Sequence, residues 1–328
     1  KNSQPYFPIQ FFNSFVDMWT MPVLFLVSGA ASWFSLRSRR AGYFIKERML
    51  RLLIPFVFGI LVINPPQVYL ERIYKHQFDG SFFAFYPHFF QGSYSYTGTG
   101  NFDLHHMWFL LYLFVITLIA LPAFLLLKGG WGRGLADVLA SFTSKPGAIF
   151  AWFLPMALCM TLLQPLFPNS EKSLVGDLAF FSVYFFYFVL GYLLCMDKRF
   201  WEAIERHAFQ ALALAGATSA ALSYLQFSNL MPAVGYSAAR AGEVGLWMLS
   251  SWCWIVMFLG MARKFLSFSS RFLSYANEAV LPFYILHHLV IIGVGFYVIQ
   301  WDIPVLAKYF AIIGMSFTIT MLLYEFVV

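Results

Sequence analysis

Charged side chains are what this chain has least of. Asp, Glu, Lys and Arg make up 11% of its 328 residues, against about 25% in soluble domains. That scarcity excludes a soluble globular protein. Cysteine is almost absent. Cys159, Cys195 and Cys253 lie in or beside apolar runs, without the spacing of a metal site and too few for a disulfide framework. Short segments of alternating hydrophobicity, the mark of a membrane β-barrel, are missing, as are internal repeats. Acidic residues number 15 against 21 basic ones, a net charge of +6. The basic residues sit in connections between apolar runs, so the excess flanks membrane spans and does not form a nucleic-acid-binding face. The chain opens on Lys1 without a signal peptide and stops at Val328 inside an apolar run. We therefore expect a longer protein, truncated here at the N-terminus and at the C-terminus.

What is present is apolar. Hydrophobic residues are 60% of the chain and aromatic ones 21%, with a mean hydropathy of +0.70. Apolar runs of about 20 residues suit helices that cross a bilayer. They predict an all-α polytopic membrane helical bundle, one transmembrane domain over residues 1–328. Nine transmembrane helices are expected, over 11–36, 52–70, 107–127, 148–167, 178–196, 208–227, 246–262, 276–300 and 308 to the end. Residues 197–207 read as a short amphipathic interfacial turn or helix. Fifteen of the 21 Lys and Arg fall in the connections 37–51, 128–146, 197–207 and 263–275. The positive-inside rule puts these in the cytoplasm. Residues 1–10 and the long connection 71–106 then face outward, together with Lys1 and Lys172.

Polar residues inside spans are costly and mark candidate sites. His287 and His288 sit near the middle of the run 276–300. Neighbours on a helix point about 100° apart, so only one is expected to face any given cavity. Tyr284 lies one turn before His288, and Pro282 can open space beside it. Two readings stand: a site for a proton, metal or substrate, or hydrogen bonds that glue helices together. The patch Ser28-Gly-Ala-Ala-Ser32 predicts close helix packing. Arg48 and Arg51, three apart, are either a positive cytoplasmic flank or a phosphate-binding pair. At Asn64-Pro-Pro-Gln67 two prolines remove two backbone donors; this is either broken backbone buried in protein or lining a cavity, or the end of the second span, and it is read as the end. The connection 71–106 holds eleven aromatic residues from Tyr74 to Phe102, Tyr94 and Tyr96 among them. They suit either an interfacial belt or stacking on a sugar. His105 and His106 end it at the membrane surface, where a solvated loop end costs little. Glu325, late in the last span, suits an ion-paired or snorkelling end.

Several of these stretches together resemble the acyltransferase-3 family of membrane acyltransferases. Met21-Pro-Val-Leu-Phe-Leu-Val-Ser-Gly29 is similar to its FFxxSG helix, and Arg48-Met-Leu-Arg-Leu-Leu-Ile-Pro55 to its RxxRxxxP segment. His106-Met-Trp-Phe-Leu110 is similar to its HLWFL helix start, Asn277 with Phe283-Tyr-Ile-Leu-His-His288 to its N…YxxHH helix, and Tyr324-Glu325 to its closing YE. Order and spacing agree over nearly the whole chain, and a branch it resembles holds glucans biosynthesis protein C. The resemblance implies ten spans in the intact protein. The additional first helix would carry an Arg and a catalytic His, so the chain as it stands is expected to be inactive.

The resemblance also implies transfer of a short acyl group, acetyl or succinyl, from a cytoplasmic acyl donor to a carbohydrate hydroxyl at the bacterial inner membrane. Acyl-CoA is the expected co-substrate, with no bound cofactor, no metal and no nucleic acid; the lipid bilayer is the remaining partner. On this reading His288, His287 and His106 assist catalysis, a role suited to the histidine pKa of about 6.5. Arg48, Arg51, Tyr284, Asn277 and Glu325 would bind substrate. Two other classes compete: a transporter or flippase of a glycan or small anion, which would show inverted repeats, and a scaffold that has lost its chemistry.

Overall fold

A computed structural model describes residues 7–92, 100–168, 174 and 176–327. Lys1, Tyr94, Tyr96 and Lys172 lie outside the described residues. The described elements are all helices: α1 Phe7–Ser38, α2 Ala41–Tyr74, α3 Phe82–Phe89, α4 Trp108–Leu127, α5 Gly130–Thr143 and α6 Phe153–Leu163, followed by α7 Leu178–Leu194, α8 Lys198–Phe227, α9 Ala238–Phe265, α10 Arg271–Val298 and α11 Val305–Val327. Among the described residues, seven helices are long and apolar enough to cross a membrane, namely α1, α2, α4 and α8 to α11. The shorter apolar helices Ala148–Leu163 and Leu178–Leu194 fill the fourth and fifth of the nine expected places. The chain is a multi-pass helical membrane protein.

Two compact units divide it. One comprises residues 48–111 and 268 onward, the other residues 7–47 and 112–267. In the second unit, α1 and α7 approach until their backbones touch. A Cβ added at Gly29 would lie 1.8 Å from the Phe188 carbonyl oxygen, and one at Gly191 would lie 1.8 Å from the Leu26 carbonyl oxygen. The small-residue patch of α1 thus has the packing role expected of it, and α7 answers with a glycine of its own. Backbone cannot retreat as a side chain can, so Gly191→Ala is expected to destabilise the protein by about 1–3 kcal/mol. Thermal unfolding of purified protein measures this, and an unchanged midpoint would remove the close approach.

Helix α8 corrects one expectation. Residues 197–207 are not a separate interfacial turn: Asp197 caps the first turn through its side chain, and the helix runs unbroken to Phe227. No proline or glycine interrupts it before Gly216, so the helix extends past the apolar stretch and carries its charges beyond it.

Helix α2, which lies in the first unit from Arg48 on, corrects a second. The chain does not stop at Asn64-Pro-Pro-Gln67; it stays helical from Ala41 to Tyr74. It does so through two π-helical turns, Met49–Leu53 and Gly59–Ile63, closed by i→i−5 bonds from Ile54 to Met49 and from Asn64 to Gly59. Each is followed within two residues by proline, Pro55 in one case and Pro65-Pro66 in the other. Proline lacks an N–H and its ring presses on the carbonyl four residues back, and a widened turn relieves both problems. The Leu61 carbonyl would bond to residue 65 in an α-helix or 66 in a π-helix, and both are proline. The Tyr86 hydroxyl, arriving on α3, donates to it instead at 3.0 Å.

The aromatic connection therefore folds against α2. Phe85 and Phe89 are buried with Val68, and Tyr69, Phe78 and Phe102 pack around them. These rings form a core and are not free to stack on a sugar, whereas Phe83 is 85% exposed.

Candidate active site

The candidate site is built on the C-terminal half of α2, within the first unit. Asn64 and Gln67 are one turn apart, so they share a face, and both are buried. The Asn64 amide nitrogen donates to the carbonyls of Asp103 and Leu104 at 3.0 and 3.1 Å. This fixes the turn that leads into α4. In that turn the His105 N–H donates to Asp103 Oδ1 at 3.0 Å, and His105 takes a left-handed φ of 43°, a conformation histidine accepts more readily than β-branched residues do. A short 3-10 turn, His105–Met107, follows. Met107 then packs against Gly59, where a Cβ would lie 2.5 Å from its sulfur.

The turn delivers His106 to α10. The Tyr284 hydroxyl donates to the His106 carbonyl. His106 Nε2 lies 3.2 Å from the Ile285 carbonyl. A carbonyl only accepts, so Nε2 carries the proton and Nδ1 the lone pair. That Nδ1 is buried without a hydrogen-bond partner among the described residues. His106 is thus half-buried between helices and is not a solvated loop end. The tether supplied by Asn64 and Tyr284 is the reason.

Ring centroids measure how closely the histidines gather. His106 lies 4.7 Å from His288 and 5.3 Å from His287, while His105 lies 6.0 Å from His288. The expectation that only one of the adjacent pair could face a given site does not hold, because the His106 ring enters the notch between them. The two have different partners. His287 Nδ1 donates to the Tyr284 carbonyl of its own helix at 2.6 Å, while His288 Nδ1 meets Gln67 Oε1 of α2 at 2.6 Å. Helix α10 continues through Pro282. Four imidazoles, the Tyr284 hydroxyl and two buried amides therefore occupy one region of a largely apolar unit. Among the described residues, no group of three or more His, Cys, Asp or Glu is arranged to hold a metal ion. The chemistry such a cluster offers is the acceptance and return of protons.

Four other candidate residues lie apart from the cluster. Arg48 is half-buried and Arg51 exposed, and the π turn over 49–53 changes the α-helical spacing that would have put them on one face. Sixteen residues of helix separate Arg51 from Gln67, about 24 Å of rise. Asn277 is exposed and precedes His288 by eleven residues, about 16 Å along α10. Glu325 accepts a hydrogen bond from the Tyr275 hydroxyl, which joins α10 to α11 at that end. A cavity of about 710 Å³ in the second unit is walled by Phe11, Phe15, Met18, Leu222, Phe227 and Trp254, and its lining includes no histidine, carboxylate or amine.

Sequence reasoning missed Asn64 and Gln67 as site residues. Their signal was available, because two amides one turn apart in an apolar run are costly unless they bond to something.

A model of the acyltransferase domain that defines the acyltransferase-3 family matches residues 2–325. The chain belongs to that family. No curated protein and no solved structure matches it. Membership makes the protein an acyltransferase, one that moves groups other than aminoacyl groups between a donor and an acceptor. In a member of this family, a histidine cluster held within a helical membrane unit is the natural candidate for the transfer chemistry.

Proposed function

We propose that this acyltransferase moves an acetyl or succinyl group from acyl-CoA to a hydroxyl of a carbohydrate, such as a periplasmic glucan, at the bacterial inner membrane. The observation that carries the reading is the cluster of His106, His287 and His288, backed by buried amides. The resemblance to the branch that holds glucans biosynthesis protein C favours succinyl and a glucan. Arg48 and Arg51 lie in the densest basic stretch, on the side that charge bias assigns to the cytoplasm, and suit the donor phosphates. About 24 Å of helix separates them from the histidines. A donor whose thioester stands at the end of a long flexible arm, well away from its phosphates, matches that separation. Asn277 and Glu325, at the cytoplasmic end of their helices, would complete the donor side, and Tyr284 would order the acceptor side through His106.

The transfer balances as follows. The sugar hydroxyl oxygen attacks the thioester carbonyl and a C–O bond forms. A histidine lone pair takes the hydroxyl proton; the resemblance gives that role to the histidine of the additional first helix, while His288 Nε2, with His106 and His287 beside it, accepts from a neighbouring hydroxyl and orients the sugar. The C–S bond then breaks, and the proton returns to the departing thiolate. Comparing glycans from cells with and without the intact gene, by mass spectrometry, tests the reading. A mass increment of an acetyl or succinyl group on a periplasmic glycan is expected. With the protein present in the membrane, no increment on any glycan would overturn the carbohydrate acceptor, and movement of an unmodified glycan would favour a transporter.

A further inference from the structure

The contact between Gln67 and His288 constrains where a proton sits. Gln67 is 1% exposed, and its amide has two possible orientations. Its nitrogen end lies 3.0 Å from the Ile63 carbonyl. That carbonyl can only accept, so the NH₂ group must face it and Oε1 must face His288. Oε1 in turn can only accept, so the His288 Nδ1 at 2.6 Å must be the donor. The proton of a neutral His288 is thereby held on Nδ1 and its lone pair on Nε2. An unconstrained imidazole side chain favours the opposite arrangement, so the protein is holding this ring in its less common form. The neighbouring His106 holds the reverse, with its proton on Nε2 against the Ile285 carbonyl.

We propose that Gln67 is a positioning residue for transfer: it holds His288 in the Nδ1–H tautomer and so presents the Nε2 lone pair to a hydroxyl of the acceptor sugar, which it orients. The proposal rests on the sugar-orienting role given to His288 above. The Asn64-Pro-Pro-Gln67 stretch gains a purpose from it. The π turn over 59–63 and the prolines after it set the register of α2, and that register places both amides on the face toward His106 and His288. One amide anchors the turn that carries His106, and the other selects the tautomer of His288.

Full-length protein carrying ¹³C,¹⁵N-histidine, in lipid bilayers, gives the test. Solid-state NMR separates the tautomers by the ring ¹⁵N and ¹³Cδ2 shifts, with the His288 signal assigned by its loss in His288→Gln. The unmodified protein is expected to show Nδ1–H at His288. Gln67→Met removes the acceptor and keeps the bulk, so the signal should move to Nε2–H. Gln67→Glu, held neutral by burial, keeps an acceptor toward His288 and a donor toward the Ile63 carbonyl, and should restore Nδ1–H. With acyl-CoA as donor, Gln67→Met should lower kcat about tenfold or more, as misplacement of a bound acceptor does, with KM for acyl-CoA within twofold, and Gln67→Glu should recover most of it. An Nε2–H signal in the unmodified protein, or one that Gln67→Met leaves unmoved, overturns the proposal. If Gln67→Met does not fold, the unmodified protein and Gln67→Glu still decide the tautomer. A tautomer that moves while kcat stays constant overturns the positioning role for transfer, whereas loss of all acyl transfer in the unmodified protein would be a failure of the functional reading.

Discussion

His288→Ala is expected to lower acyl transfer by about 10²-fold, the usual cost of an acceptor misplaced by about 1 Å. The ring is the point where two helices meet, because its Nδ1 bonds to Gln67 of α2 and its face lies 4.7 Å from His106. Removing it takes away the Nε2 lone pair and also leaves the buried Gln67 Oε1 unsatisfied, at a cost of about 1–3 kcal/mol. Two measurements separate these effects. Mass spectrometry of the acylated product reports the chemistry, and thermal unfolding of the purified variant reports the packing. A variant that is folded, present in the membrane and undiminished in transfer would take His288 out of the site.

Asn64→Asp should have an effect nearly as large, for a different reason. The two side chains have almost the same shape. Asn64 presents an NH₂ group to the carbonyls of Asp103 and Leu104, and an aspartate presents an oxygen in its place. Acceptor then faces acceptor twice in a buried position, at about 1–3 kcal/mol for each carbonyl left unpaired. The turn over 103–106 loses its anchor, and His106 loses the tether that holds it at α10. We expect a lower unfolding midpoint together with transfer reduced by at least tenfold, since a displacement of about 1 Å near the chemistry can cost 10²-fold. Asn64→Asp with an unfolding midpoint and activity equal to those of the parent protein would show that this turn is held by something else.

The helical membrane architecture could be read from composition alone, because a bilayer core admits helices and closed barrels and little else. Twenty-residue apolar runs therefore translate almost directly into spans, and charge bias orders their ends. Even the contact of α1 with α7 was half legible, since Ser28-Gly-Ala-Ala-Ser32 announces close packing; its counterpart Gly191, lying in an aromatic run, did not. Residues whose meaning depends on a partner far away in the chain were not legible. His106 lies about 180 residues before the histidines it touches, and no local pattern encodes that pairing. It looked like a loop end because nothing near it in sequence reveals Tyr284 or the Ile285 carbonyl.

The course of α2 separates the two kinds of information most clearly. By itself the sequence determined that Pro55, Pro65 and Pro66 would remove backbone donors, that Asn64 and Gln67 would need partners, and that His287 and His288 would lie within a span. Whether the helix would end or widen at the prolines depended on what could satisfy the freed carbonyl. Tyr86, brought back on α3, decided that it would widen. The tertiary structure likewise decided which histidine nitrogen carries a proton, because a tautomer is set by the acceptor opposite it, and for His288 that acceptor stands on another helix.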